Sequence, residues 1–267
     1  MLLDGKKIAN KLEERLKTEL LFQIPKRVCF VIFESTPATE QFVKIKSRVA
    51  ERIGIVAITE RHTEAHTTEQ IVAVVIELGK KKYDGIVVQL PLPAGVDTEK
   101  VLDAVPFEQD IDVLGSATKR SYENGDTHRI PPVARAVHAM LESCGATLSG
   151  KNIVVIGRGR LVGEPVHLML KQMGLPHIVI DILTGEKEKL STIKQADIII
   201  SGVGVPCMIK PSMIKKGVLL IDAGTSEQGG KLVGDVDPTC EALVSHMTPV
   251  PGGVGPVTVV ALLQNLV

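Results

Sequence analysis

The stretch from Lys151 to Pro165 constrains the fold more than any other part of the chain. Its residues Ile153–Ile156 are all β-branched, and a continuous apolar run of this kind is typical of a parallel strand covered on both faces. Gly157 and Gly159 then predict a tight turn, and the helix that follows presents main-chain N–H groups that can hold a phosphate. The Gly-x-Gly-x-x-x-Gly spacing is one residue longer than the common dinucleotide fingerprint. By itself it leaves a nucleotide site and a merely tight strand-to-helix turn as equal alternatives.

Strand and helix patterns alternate on both sides of this stretch, which predicts an α/β protein with parallel sheets. The predicted strands are Val28–Phe33, Ile55–Thr59, Asp84–Leu90, Ile153–Ile156, Ile178–Asp181, Asp197–Ser201 and Val218–Asp222. Residues 106–131 are polar and turn-rich without clear periodicity, so we interpret them as a connection that carries function. We predict a first α/β domain over residues 1–131, completed by residues 250–267, and a Rossmann-like dinucleotide-binding domain over residues 132–249.

Composition excludes several classes of function. The chain has 31 basic and 31 acidic side chains, a balance that argues against a nucleic-acid partner. No apolar run has the length of a membrane span, and the N-terminus has no signal-peptide pattern. The four cysteines are far apart in sequence and form no metal-type pair, which favours free thiols in a reducing compartment. We therefore expect a cytoplasmic protein without a membrane partner.

Polar or glycine residues follow each strand of the predicted Rossmann-like domain. Because ligands of open α/β sheets lie beyond the carboxyl ends of the strands, Gly202 and Thr225 join the glycine turn in favouring a nucleotide site. Asp181 ends the second strand, 24 residues after Gly157. A carboxylate there can accept hydrogen bonds from a ribose diol and would repel a 2′-phosphate. The alternative is that Asp181 is an ordinary solvated acid.

The first domain carries four features that could do chemistry. Lys46 lies on a predicted helix and by itself is more typical of a solvated lysine. Gln89 ends an otherwise apolar strand, so its amide either satisfies backbone groups or faces a ligand. Asp110 and Asp112 lie in the polar connection and are equally consistent with turn-forming acids. A histidine pair at 62 and 66 has the spacing of helical metal ligands, but we identify no acidic or cysteine partner and expect no metal site.

Two long motifs resemble signatures of the bifunctional methylenetetrahydrofolate dehydrogenase/methenyltetrahydrofolate cyclohydrolase family. They are Tyr83–Pro93 (YDGIVVQLPLP) and Thr248–Thr258 (TPVPGGVGPVT), and they lie far apart in the chain. The glycine turn and the Gly234-Asp235-Val236-Asp237 stretch also follow the family's pattern. The resemblance covers essentially the whole chain. It implies two α/β domains flanking a cleft, with the nicotinamide cofactor on the second domain, and a homodimer built through that domain.

The resemblance also implies the reactions and the residues. The first reaction takes hydride from the one-carbon bridge of 5,10-methylenetetrahydrofolate, and the second adds water to the resulting methenyl cation to give 10-formyltetrahydrofolate. Lys46 matches the catalytic lysine, Gln89 the amide that holds it, and Asp112 the acid that binds the pterin. The positions that match the folate loop are Pro251, Gly252 and Gly253, and those that match cofactor contacts are Gly157, Arg158, Gly159 and Thr225.

This chain departs from the family's pattern at several positions. Phe42 replaces a tyrosine four residues before Lys46, so its ring can still stack on the pterin but no hydroxyl reaches the lysine. Gly159 replaces a serine, and Val113 replaces the glycine after the pterin acid. The family uses NADP, whereas Asp181 and Gly159 shift the expectation toward NAD, although Arg158 and Arg160 could grip a 2′-phosphate.

These departures leave three readings of the sequence. The chain is a dehydrogenase with cyclohydrolase activity, a dehydrogenase whose hydrolase step is weakened or lost through Phe42, or a folate- or nucleotide-binding protein without turnover. The last is disfavoured because Lys46, Gln89 and Asp112 are all retained.

Overall fold

The computed structural model describes all residues, 1–267. Its helices are α1 (Gly5–Leu20), α2 (Pro37–Arg52), α3 (Thr68–Gly79), α4 (Thr98–Asp103), α5 (Ser116–Glu123), α6 (Pro132–Ser143), α7 (Gly163–Gln172), α8 (Glu186–Gln195) and α9 (Val254–Gln264). Its strands are β1 (Arg27–Ile32), β2 (Val56–Arg61), β3 (Gly85–Gln89), β4 (Ile153–Ile156), β5 (His177–Ile180), β6 (Ile198–Ser201), β7 (Leu219–Asp222), β8 (Ser226–Gln228), β9 (Lys231–Val233) and β10 (His246–Met247). None of the helices combines the length and apolar character needed to cross a membrane.

The chain divides into two compact units, and the divisions fall inside α1, after the first residue of α6, and inside α9. The catalytic unit comprises residues 11–132 and 259–267, and the Rossmann unit comprises residues 1–10 and 133–258. Residues 1–10 group with the Rossmann unit because the N–H of Leu3 donates to the carbonyl of Met247 at 2.8 Å and that of Gly5 to Gly252 at 3.0 Å. The sequence prediction assigned residues 1–10 and 250–258 to the first domain instead.

The catalytic unit is built on a three-stranded parallel sheet in the order β2-β1-β3. Its central strand is buried from Val28 to Ile32, as expected for a strand covered on both faces. The helix that follows begins with a capping box, in which the Thr36 hydroxyl accepts from the N–H of Thr39 and the Thr39 hydroxyl accepts from the N–H of Thr36. This cap fixes the start of α2, the helix that carries Lys46.

The Rossmann unit contains a five-stranded parallel sheet in the order β10-β7-β6-β4-β5. After β4 the chain adds β5 on one side, and it then returns to add β6 on the other side. The strand order therefore reverses beside β4, and this reversal is where open α/β sheets bind ligands. All four residues of β4 are buried, which confirms the parallel strand predicted from the β-branched run.

The structure contains short elements that the sequence did not predict, and few of their side chains are buried. Residues 106–131 contain α5, and only Thr118 and Tyr122 of this polar helix are buried, so it produces no visible apolar period. The antiparallel hairpin of β8 and β9 was also missed because each strand has three residues. The last helix begins at Val254 and accommodates Pro256 in its first turn, where the missing N–H of proline costs no hydrogen bond.

Candidate active site

Lys46 and Gln89 meet at the carboxyl end of the catalytic unit's sheet. The Lys46 Nζ donates to Gln89 Oε1 at 3.0 Å, and the Gln89 Nε2 donates to the carbonyl of Leu90 at 2.7 Å. Gln89 is only 7% exposed, and Lys46 is half-buried rather than a freely solvated lysine. The Gln89 amide therefore satisfies a backbone carbonyl through its N–H and holds the lysine through its oxygen, and its contact with a ligand stays a prediction.

The electrostatics of this corner favour a neutral amine. Burial lowers the pKa of the Lys46 ammonium, and the negative charge of Asp112 opposes that shift. Burial likewise raises the pKa of the Asp112 carboxyl, against the attraction of Lys46 and with a further contribution from Asp110. A lysine in such a place gives up its proton more readily than a lysine in water.

The two aspartates of the connection have different surroundings. Asp110 is 3% exposed, and its carboxylate accepts the N–H of Gly115 at 2.8 Å and the hydroxyl of Thr118. It therefore shapes the turn that leads into α5. Asp112 is partly exposed and senses the charge of Lys46. The structure thus separates a turn-forming acid from one that can meet a ligand.

Val113 adopts a left-handed backbone conformation directly after Asp112, with φ of 56°. This conformation favours glycine, and a β-branched residue held in it carries about 1–3 kcal/mol of strain. Glycine, which the resemblance implies at this position, would adopt this conformation without that strain. The side chain of Val113 is 2% exposed, so its packing offsets part of that strain.

Phe42 lies one helical turn before Lys46 on α2, so both side chains lie on one face of the helix. The Phe42 ring is 40% exposed and can stack on a planar ligand. The folate-loop residues Pro251, Gly252 and Gly253 belong to the Rossmann unit. Gly252 has φ of 102°, and a Cβ on Gly253 would lie 2.5 Å from the carbonyl oxygen of Pro249. This loop therefore requires glycine, and its contact with folate stays a prediction.

The glycine turn after β4 depends on glycine at two positions. Gly157 has φ of 101°, and its N–H donates to the carbonyl of Ile180 at 2.8 Å. A Cβ on Gly163 would lie 2.1 Å from the carbonyl oxygen of Gly157, so only glycine fits at the start of α7. The first turn of α7 has no side-chain cap. A Cβ on Gly159 would meet no atom within 4 Å, which leaves open space beside the turn for a dinucleotide.

Arg158 and Asp181 form an ion pair beside this turn. The Arg158 Nε lies 3.1 Å from Asp181 Oδ2, and Asp181 Oδ1 accepts the N–H of Leu183 at 2.9 Å. Asp181 is thus a held carboxylate rather than a freely solvated one. Thr225 is exposed and directly precedes β8.

A buried carboxylate that sequence analysis missed organises the loop after β6. Asp235 is fully buried and accepts the hydroxyl of Ser201 at 2.7 Å and the N–H groups of Val203 at 2.7 Å and Val205 at 3.0 Å. These bonds fix the loop that begins at Gly202. In the sequence, Asp235 belongs to the Gly234-Asp235-Val236-Asp237 stretch, which follows the family's pattern but gives no local indication of which groups the carboxylate binds.

A second buried carboxylate, Asp222, supports the first. It is 3% exposed and accepts the N–H groups of Gly224, Asp235 and Val236 at 2.9–3.1 Å. Burial, helped by the charge of Asp235 and opposed by these N–H groups, raises the pKa of Asp222 to about 6. The end of β7 is therefore tied to the segment that carries Asp235.

The surroundings of the histidine pair differ from the sequence prediction in one respect. His62 does have acidic neighbours, since its ring nitrogens lie 3.7 Å from Glu60 and 3.3 Å from Glu64, so the premise that it lacked them was wrong. No group of three or more histidine, cysteine, aspartate or glutamate side chains is placed to hold a metal ion.

Comparison with known proteins places both units in one family. The catalytic domain of tetrahydrofolate dehydrogenase/cyclohydrolase matches residues 3–112, and the NAD(P)-binding domain of the same family matches residues 131–267. The bifunctional protein FolD of Wolinella succinogenes is 35% identical over 276 residues, which cover 99% of this chain and 94% of that protein.

Solved structures agree over the whole length. The bifunctional FolD methylenetetrahydrofolate dehydrogenase/cyclohydrolase of Campylobacter jejuni superposes with a TM-score of 0.93 at 32% sequence identity. The match covers 100% of this chain and 96% of the Campylobacter jejuni chain. The Trypanosoma brucei enzyme, solved with NADP and an inhibitor, has a TM-score of 0.93 at 29% identity, covering 100% and 95%.

Proposed function

The chain belongs to the tetrahydrofolate dehydrogenase/cyclohydrolase family, and we propose that it oxidises 5,10-methylenetetrahydrofolate and hydrolyses the methenyl product to 10-formyltetrahydrofolate. The observation that carries this proposal is the hydrogen bond between Lys46 and Gln89, at the two positions that the resemblance assigns to catalysis. The bound nicotinamide, NADP or NAD, supplies the hydride acceptor. Side chains of the protein itself bind the pterin and handle the proton.

We assign proton handling to Lys46. Its burial already favours the neutral amine, and a cationic methenyl group nearby favours it further because like charges repel. A neutral amine can take a proton from the water that attacks the methenyl carbon. Gln89 positions that amine, because its amide is fixed by the carbonyl of Leu90 and cannot turn away without breaking a hydrogen bond.

We assign pterin binding to Asp112 and Phe42. A carboxylate can accept two parallel hydrogen bonds from the amino group and the ring N–H of a pterin. Binding of such donors compensates the burial that raises the pKa of Asp112 in the free protein. The exposed ring of Phe42 supplies a stacking surface one helical turn from Lys46.

Two assays on the purified protein test this proposal. With 5,10-methylenetetrahydrofolate, we expect absorbance from reduced cofactor with NADP or NAD. With methenyltetrahydrofolate alone, we expect decay faster than the spontaneous rate. Absence of turnover with both cofactors, in a protein that a thermal melt shows to be folded, would overturn the proposal.

We further propose that the protein is a cytoplasmic homodimer that associates through its Rossmann unit. The four cysteines are all free thiols, which suits a reducing compartment. The edge strand β5 carries Ile178, which is 54% exposed, and exposed apolar edges favour self-association. Light scattering after gel filtration tests the dimer, and a monomeric mass at micromolar concentration would contradict it.

A further inference from the structure

We propose that the ion pair of Asp181 and Arg158 selects NAD and rejects NADP, an inference that rests on the dinucleotide site of the proposed function. The related structure from Trypanosoma brucei was solved with NADP, so this property would set the present chain apart. Three observations carry it: the position of the carboxylate, the way it is held, and the residues that follow it.

The first observation is position. β5 lies beside β4 with Ile180 opposite Ile156, and the N–H of Gly157 donates to the carbonyl of Ile180 at 2.8 Å. Asp181 therefore follows the neighbouring strand at the level where the glycine turn begins. A carboxylate at this point of a Rossmann unit accepts hydrogen bonds from the adenosine ribose hydroxyls.

The second observation is that the carboxylate has a fixed direction. Arg158 approaches Asp181 Oδ2 at 3.1 Å, while the N–H of Leu183 occupies Oδ1 at 2.9 Å. The Asp181 N–H in turn donates to the hydroxyl of Thr184 at 3.1 Å. The side chain is 21% exposed, so it is anchored yet still open to a ligand.

The third observation is the chemistry of the surrounding loop. A 2′-phosphate here would face the Asp181 carboxylate, and the cation beside that carboxylate, Arg158, is already engaged by it. The next two residues, Ile182 and Leu183, are apolar and 85% and 88% exposed. Neither offers a positive charge to a phosphate. A ribose diol, by contrast, needs an acceptor and no cation.

Titration calorimetry with NAD and with NADP, in the absence of folate, tests the proposal independently of turnover. We expect the unmodified protein to bind NAD about tenfold or more tightly than NADP. Asp181→Asn removes the repelling charge and releases Arg158, so NADP affinity is expected to rise about tenfold. The matched control is Glu186→Gln, which removes a carboxylate that is 89% exposed and pairs with Lys189, and it should leave the NAD/NADP ratio unchanged.

A double-variant cycle isolates the ion pair. If Arg158 is engaged by Asp181, then Arg158→Ala should lower NADP affinity several-fold more in the Asp181→Asn background than in the unmodified protein. Equal or tighter binding of NADP by the unmodified protein would overturn the proposal, as would additive effects in the cycle. Binding of neither dinucleotide would overturn both this inference and the proposed function. A preference for NADP together with folate turnover would overturn this inference alone.

Discussion

Replacing Asp222 by asparagine is expected to change how the stability of the protein depends on pH. Burial raises the pKa of this carboxyl from 3.8 to about 6. The folded state therefore holds the proton more tightly than the unfolded state, and the resulting stabilisation is complete below pH 3.8 and is lost as pH rises through 6. The full difference corresponds to about 3 kcal/mol, of which about 2 kcal/mol falls between pH 4 and pH 7.

Urea unfolding of both proteins at several pH values measures this effect. Subtracting the variant's free energy of unfolding from that of the unmodified protein should give a difference that falls by about 2 kcal/mol from pH 4 to pH 7. Asp197→Asn is a control of opposite sign at lower pH, because the hydrogen bond from Lys215 lowers the pKa of Asp197 below 3.8. Its difference curve should rise with pH mainly below about pH 4 and stay nearly flat from there to pH 7. A flat curve for Asp222→Asn would refute the reasoning.

Three further substitutions test the cofactor turn, the C-terminus and the hydrolase step. Gly163→Ala places a methyl group 2.1 Å from the carbonyl oxygen of Gly157, so calorimetry should show at least about tenfold weaker dinucleotide binding, whereas Gly185→Ala, with no atom within 4 Å, should bind normally. Asn265→Ala leaves the buried carbonyl of Ile111 and the half-buried carbonyl of Ile130 without their donor and should lower the free energy of unfolding by about 3 kcal/mol in urea; a loss below about 1 kcal/mol would count against it. Phe42→Tyr restores a hydroxyl one helical turn from Lys46 and should speed methenyltetrahydrofolate decay relative to hydride transfer; an unchanged ratio of the two rates would exclude that role.

The sheet strands were predictable because their signal is local. Runs such as Ile153–Ile156 are continuous and β-branched. Because helices connect successive strands, the strands are expected to pair in parallel. By contrast, α5 presents two buried residues and the hairpin strands have three residues each, too few for a period to emerge.

The candidate site was predictable only in part. A glutamine that ends an apolar strand signals a special role, and Gln89 does hold Lys46. Asp110 accepts the hydroxyl of Thr118, whereas Asp112 senses the charge of Lys46 on a helix of the same unit. These different surroundings depend on the fold, so spacing could not separate the two acids. The ion pair between Arg158 and Asp181 likewise exists because β4 and β5 are neighbours, a fact that follows from sheet order rather than from either residue.

The most direct test of the account is the turnover of Lys46→Met in both folate reactions. Methionine keeps the length and packing of the side chain but cannot carry a proton, so we expect methenyltetrahydrofolate hydrolysis to fall about 100-fold or more. The affinity for the dinucleotide should stay as in the unmodified protein. Unchanged affinity would show that the lower rate comes from lost proton transfer and not from a misfolded protein. Hydrolysis at the unmodified rate by a folded Lys46→Met protein would contradict the assignment of Lys46 as the proton-handling group.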